Sequence, residues 1–247
     1  MPSLHPKAEA LLQKFSHELE LKLLGQLRSV VLYGSAAAGT YVPGQSDLNF
    51  LIEVEKVSVQ VLDDLARLVQ RYAGQGITAP LVVDPEYLRR SADVFAIEFS
   101  EMKAYHRVLF GSDPLEAIEI KPEYLRLQAE SELKQKLLLL RRLYLTAAGH
   151  GKDEDRLLFQ SFKSFLVVTR ALLRHLGEDQ LLIPHGQLLA KIEARLQIKL
   201  PSFHRLAEAR GGPLKLKGDE RKQLIRDYLE EVADLARAVD RMGEPSS

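Results

Sequence analysis

The sequence predicts an α+β protein, in which a mixed sheet carrying helices is followed by an all-α helical bundle. Two observations carry this. Up to about residue 113, apolar residues at helical spacing alternate with short β-branched runs, the pattern of a sheet with helices packed on it; beyond Gly111-Ser112-Asp113-Pro114 only helical periodicity continues. The expected division is therefore 1–113 for the α/β domain and 114–247 for the bundle, and 247 residues are enough to bury either one large core or two modest ones.

The elements follow in order. From about Pro6 to Leu27, residues Leu12, Phe15, Leu19, Leu23 and Leu27 recur at spacings of three and four, an amphipathic helix whose end Gly25 weakens. Strands are expected at 29–33 and 47–54. A helix from Ser58, its cap, to Tyr72 would bury Val59, Leu62, Leu65, Ala66 and Val69 on one face. After the turn at Gly74-Gln75-Gly76, a third strand runs from Ile77 to Val83, and Pro85 to Arg90 opens a helical turn. A helix from about Phe99 to His106 and a fourth strand at 108–111 complete this half.

In the second half, helices are expected at about 122–148, 154–176, 185–197 and 218–241, with a short one opening at Leu200-Pro201-Ser202-Phe203. Gly211-Gly212-Pro213 would break that short helix, and the tail from Gly243 to Ser247 would fray. Short connections at Gly149-His150-Gly151 and Gly177-Glu178 favour antiparallel neighbours, hence a bundle. The run Leu137-Leu138-Leu139-Leu140 makes its helix apolar on most sides, which points to a central bundle position or a homo-oligomer contact.

Composition narrows the function classes. Lys plus Arg equals Asp plus Glu at 34 each, so no global field draws the chain to nucleic acid or to an anionic membrane. With no cysteine, disulfides, thiolate metal sites and a cysteine nucleophile are excluded. The N-terminus lacks a signal-peptide pattern, and no apolar run approaches the roughly 20 residues that span a bilayer, so a cytoplasmic protein is expected.

The chemistry concentrates in one stretch. Val30-Val31-Leu32-Tyr33 breaks at Gly34-Ser35; small residues follow to Gly39; a Pro43-Gly44 turn leads to Ser46-Asp47-Leu48-Asn49 on the next strand. A Gly-Ser pair after a buried strand places backbone N–H groups and a hydroxyl at a helix N-terminus, where the dipole favours phosphate. Glycine lets the chain turn sharply and the phosphate approach the backbone. Acids at alternate strand positions would point to one face, where two carboxylates can hold Mg²⁺ together with nucleotide phosphates.

These residues resemble the nucleotidyltransferase superfamily of DNA polymerase β, in the branch with small and aminoglycoside nucleotidyltransferases, whose pattern is Gly-Ser, small residues with Gly, then Asp-x-Asp. The match covers residues 28 to 55, with the order of elements extending it to about 112. The resemblance implies a nucleotidyltransferase-like fold in which Gly34 and Ser35 cradle the triphosphate of a bound nucleoside triphosphate. It implies Asp47 as first Mg²⁺ ligand and places Asn49 at the second catalytic and metal position, where an amide oxygen is neutral and weaker. The family's third carboxylate, on a later strand, has no counterpart between Ile77 and Val83, where Pro80 stands instead; Asp84 and Glu98 are the candidates to replace it.

Asp47 alone supplies one negative ligand, less than two-metal phosphoryl transfer needs. The leading expectation is thus a divergent member, a nucleotide-binding pseudoenzyme with impaired or absent catalysis. The alternatives are an active Mg²⁺-dependent transferase moving a nucleoside monophosphate onto a small-molecule or protein hydroxyl, and an antitoxin-like or oligomeric interaction module. Arg170 and His175 match the Arg-x₄-His spacing of helical RNase-like partners of small nucleotidyltransferases, but i and i+5 lie on different helix faces, and a solvated arginine and a helix-end histidine explain them. The seven histidines show no metal-ligand spacing and read as surface or loop residues, and Arg89-Arg90 and Arg141-Arg142 read as solvated faces rather than a nucleic-acid groove.

Overall fold

The computed structural model describes residues 4–44, 46–147, 151–179, 181–209, 214, 216 and 218–243. The expected connection at Gly149-His150, the break at Gly211-Gly212-Pro213 and the end of the tail at 244–247 lie outside them. The chain divides into two compact units, 1–120 and 121–247.

The first unit holds α1 (Pro6–Lys22), β1 (Leu27–Tyr33), α2 (Ser35–Ala38), β2 (Asn49–Val54), α3 (Val59–Arg71), β3 (Leu81–Val83), α4 (Pro85–Arg90), α5 (Ala96–Ala104) and β4 (His106–Gly111). Its sheet has the order β3-β2-β1-β4: β1 is antiparallel to both β2 and β4, and β2 is parallel to β3. Because side chains alternate across each strand, the two faces build two cores. On one, Val30, Leu32, Phe50, Ile52 and Val54 meet Phe15 and Leu19 of α1 and Val61, Leu65 and Leu68 of α3. On the other, Val31, Leu51 and Val83 meet Leu88, Phe99, Met102, Leu115 and Ile118.

That second core explains why the first unit continues to residue 120 rather than ending at 113. Leu115 and Ile118 are buried against the sheet, and Lys103 Nζ donates to the Ile118 carbonyl at 2.6 Å.

Other differences from the expected elements have local causes. The first helix ends at Lys22, because the chain turns through Leu23–Gln26 with Gly25 at φ 77° and lets β1 start at Leu27. Ser58 caps α3 by accepting the Val61 N–H at 3.3 Å, yet the buried face is Val61, Leu65 and Leu68, while Val59 is exposed and Leu62 partly so. Tyr72, buried one turn further on, sets that rotation by packing edge-on to Phe15 with ring centroids 5.1 Å apart. The third strand shrinks to Leu81–Val83, preceded by an isolated Leu48–Ile77 bridge; Pro80 carries no N–H for the ladder between them. The helix expected at 99–106 runs from Ala96 to Ala104, so His106 opens β4 instead.

The second unit holds α6 (Pro122–Ala147), α7 (Gly151–His175), α8 (His185–Leu196), α9 (Pro201–Ala209) and α10 (Gly218–Arg241), with no strand among the described residues. Leu125, Ala129, Leu133, Leu137 and Leu140 line the buried face of α6, as their spacing predicts. Leu138, Leu139, Leu143 and Leu145 are exposed, so α6 does not hold the central position that its leucine run suggested. Phe162 and Phe165 of α7, Phe203 of α9 and Tyr228 of α10 form the aromatic centre, with the Phe203 and Tyr228 rings 4.8 Å apart. Beside it the buried Glu231 carboxylate accepts the backbone N–H groups of Ser202, at 2.9 and 3.0 Å, and Phe203, at 3.3 Å, capping α9 from a neighbouring helix.

Candidate functional site

The candidate site lies at one end of the sheet, where β1 finishes and both of its antiparallel neighbours begin. Tyr33, the last residue of β1, pairs with Asn49 on one side and His106 on the other, so the three stand in a row on one face at strand spacing, each about 5 Å from the next. Burial pushes the Tyr33 phenol above its ordinary value.

Gly34 then reverses the chain with φ 76° and ψ −151°, a conformation essentially confined to glycine. A side chain there would also meet the Asn49 amide: a Cβ would come within 3.1 Å of Nδ2. The α2 segment that Gly34 opens is four residues long, closed by Gly39 in the left-handed region. Its axial dipole is that of a single turn, so the phosphate affinity expected here rests on the Gly34–Ser35 N–H groups and the half-exposed Ser35 hydroxyl rather than on a long helix.

The chain returns through a turn at 42–46, closed by Ser46 N–H to the Val42 carbonyl at 2.9 Å and Val42 N–H to Ser46 Oγ at 3.0 Å. Asp47 follows, exposed, outside β2, and without an ion pair or hydrogen bond among the described residues. It lines a cleft of about 400 Å³ with Tyr41, Gly44, Ser46, Gln75, Gly76 and Ile77; Gly34, Ser35 and Asn49 do not line that cleft.

Asn49 is differently placed. Its Oδ1 accepts the Thr78 hydroxyl at 2.9 Å, and Thr78 N–H bonds the Leu48 carbonyl at 3.3 Å, so the segment before β3 is stitched to this corner by a neutral pair. A Mg²⁺ pair needs several hard, preferably anionic oxygens on one locus. Here one carboxylate is exposed, and the Asn49 amide oxygen is neutral and shares its lone pairs with the Thr78 hydroxyl. No group of three His, Asp or Glu converges among the described residues. Asp47 and Asn49 together offer one anionic donor group, fewer than a two-metal centre uses.

Of the two candidates for a third carboxylate, Asp84 lies at the far end of β2. Because Leu51 pairs with Leu81 and Glu53 with Val83, Asp84 is level with Val54, five residues or about 17 Å along β2 from Asn49. There it caps α4, accepting the Tyr87 N–H at 2.9 Å. Glu98 is exposed in the first turn of α5.

Three features escape sequence reasoning. Thr78 is the polar residue that actually touches Asn49, found only once the parallel register is known. Tyr33 reads as the end of an apolar strand. His106 is no surface histidine: its Nε2 bonds Asp113 Oδ2 at 2.9 Å, its Nδ1 bonds the Lys103 carbonyl at 3.2 Å, and Asp113 Oδ1 accepts the Leu115 N–H at 2.9 Å. The pair latches the 113–115 segment onto the start of β4.

Elsewhere, His175 Nδ1 bonds the Pro122 carbonyl at 2.8 Å, and Arg170 is half-buried close enough to His185 to help depress its basicity, which burial depresses more. Arg89, Arg90, Arg141 and Arg142 are exposed, Arg90 pairing with Glu86 at 3.2 Å. No helix among the described residues is long and apolar enough to cross a membrane.

A Gly-Ser corner on a β3-β2-β1-β4 mixed sheet, followed by a helical unit, defines a nucleotidyltransferase-like α+β fold. The chain is similar in structure to spectinomycin adenyltransferase AAD(9) from Enterococcus faecialis, solved with ATP and spectinomycin, with a TM-score of 0.55 and 13% sequence identity over 90% of this chain and 99% of that one. No family model matches the sequence, nor does any curated protein.

Proposed function

We propose that this protein binds a nucleotide at the Gly34–Ser35 corner and carries little or no nucleotidyl transfer. The single observation behind this reading is the Asn49–Thr78 hydrogen bond: a neutral amide committed to a hydroxyl occupies the position where the superfamily pattern calls for a metal-binding acid. The adenyltransferase neighbour, solved with ATP, supports a nucleotide as ligand. In the proposed mode, Gly34 and Ser35 N–H groups and the Ser35 hydroxyl hold phosphate oxygens, while Asp47 remains a lone, weak cation ligand.

A second reading keeps the transferase active on a small-molecule hydroxyl. Its support is the likeness along most of the chain to an enzyme solved with ATP and a small molecule. Calorimetry with ATP, GTP, CTP and UTP, in EDTA and in Mg²⁺, followed by a pyrophosphate-release assay, separates the two. Binding in EDTA without turnover supports the first reading. Turnover abolished by Asp47→Ala establishes the second.

A further inference from the structure

The second unit carries a separate cleft of about 500 Å³ where α8 gives way to α9, lined by Glu193, Lys199, Pro201, His204, Arg205 and Glu208. The hollow is shallow and open to solvent, so a ligand there would be held by charge and hydrogen bonds rather than by enclosure. Its charges are not randomly placed. Glu193 is fully committed: Oε1 accepts the Leu200 N–H at 2.7 Å and Oε2 bonds His204 Nε2 at 3.0 Å. This fixes the imidazole and leaves its Nδ1 without a partner among the described residues. Lys199 and Arg205 are both exposed and make no ion pair among the described residues. The lining thus holds two cations and two carboxylates, of which Glu193 is turned to the Leu200 N–H and His204 and Glu208 has no partner among the described residues.

The surrounding sequence leans positive. The described residues 191–209 hold four Lys or Arg, namely Lys191, Arg195, Lys199 and Arg205, against two Glu, in a chain whose formal charge is zero. Lys191 and Arg195 are spent on Glu178, at 2.6 and 2.9 Å. Lys199 is near enough to Glu193 to help hold its carboxyl below the usual range but does not pair with it, and Arg205 has no ion pair among the described residues.

We propose that this cleft is a binding site for a small phosphate-bearing anion, independent of the Gly34–Ser35 corner. Arg205 offers a planar fork that can bind phosphate bidentately, Lys199 a point charge, and the immobilised His204 an Nδ1 that exchanges a hydrogen bond with a phosphate oxygen or hydroxyl. Glu208 opposes occupancy by a higher charge and sets the affinity.

The test is titration of the full chain with inorganic pyrophosphate, followed by amide and imidazole NMR. Shifts at 193–208, including the His204 ring, are expected, whatever happens at 34–38, where the nucleotide is proposed to bind. Lys199→Gln with Arg205→Gln, two surface changes that leave the core intact, should weaken binding about tenfold or more. Glu208→Gln should tighten it, and both effects should shrink in high salt. Shifts confined to 34–38, or wild-type affinity in the double variant, overturn the site. So does binding of a single-stranded oligonucleotide where pyrophosphate fails, which would make the surface a nucleic-acid contact instead.

Discussion

The two ends of the four-stranded sheet are built from the same parts to opposite effect. Each has a glycine at positive φ: Gly34 at 76° where β1 ends, and Gly111 at 75° where β4 ends. At the Gly111 end, β2 carries the buried Glu53, and Arg28 spans it, with Nε 3.4 Å from Glu53 and Nη1 2.9 Å from Glu55, while Ser29 Oγ lies 3.4 Å from Glu53. At the Gly34 end, four residues or about 13 Å away along β2, the polar residue of β2 is the neutral Asn49 and Asp47 before it is exposed, while the ion pairs of this end, His106–Asp113 and Arg107–Glu9, both at 2.9 Å, stand on β4. Along β2 the chain thus spends a buried carboxylate and an arginine on closing one end, and leaves at the other a neutral amide and an exposed acid unpaired among the described residues. A closed end stabilises the sheet; an open end with unspent N–H groups can take a ligand.

The sharpest way to separate the ends is to fill each glycine. A Cβ on Gly111 would sit 1.9 Å from the Arg28 carbonyl oxygen, a backbone atom that cannot swing away, so Gly111→Ala should cost at least about 3 kcal/mol by denaturant unfolding. Gly34→Ala meets only the end of the Asn49 amide, and its cost is mostly backbone strain, about 1–3 kcal/mol. It should also abolish nucleotide binding while the fold persists, which Gly111→Ala should not do selectively. Equal losses at both would erase the contrast.

Asn49→Asp converts the open end toward the acidic one. With Asp47 nearby, divalent-cation affinity should rise by roughly tenfold, since ligand charge count tunes such sites; an unchanged affinity measured by Mn²⁺ titration would remove Asn49 from any metal locus. Thr78→Val deletes the partner of Asn49 at a cost of about 1 kcal/mol, read as a small shift in unfolding midpoint.

The smallest effect is a pH dependence on the α1–α3 side. Burial, helped by the hydrogen bond to Glu18 at 2.8 Å, pushes the Tyr72 phenol from 10.0 up to about 12. A group whose folded value is raised keeps its proton longer in the native state, so its contribution is complete below pH 10 and declines as pH rises from 10 toward 12. Tyr72→Phe should flatten that slope in alkaline unfolding.

The fold was largely legible because long helices carry redundant periodic signals. The inward faces of α6 and α7, from Leu125 to Leu140 and from Leu158 to Leu173, repeat often enough that no single residue decides them. The face of α3 was not legible, since Val59-Leu62-Val69 and Val61-Leu65-Leu68 are both apolar stripes, and the choice between them lies in tertiary packing against α1 and the sheet, Tyr72 on Phe15 included. At the site, Gly34 and Asn49 are near neighbours in space, as local strand-turn-strand spacing suggested. Thr78 was invisible, because its approach to Asn49 depends on a parallel pairing set 29 residues away. His106 was misplaced because a helix-to-strand junction at Tyr105 has no breaker residue to mark it.

On the proposed reading, the Gly34 end holds a nucleotide without needing a metal. Calorimetry of ATP binding in EDTA and in Mg²⁺, on the wild type and on Ser35→Ala, tests it most directly. The predicted result is binding of similar affinity in both media, weakened by Ser35→Ala, with no pyrophosphate released. Binding that appears only with Mg²⁺ and is followed by pyrophosphate release would contradict it.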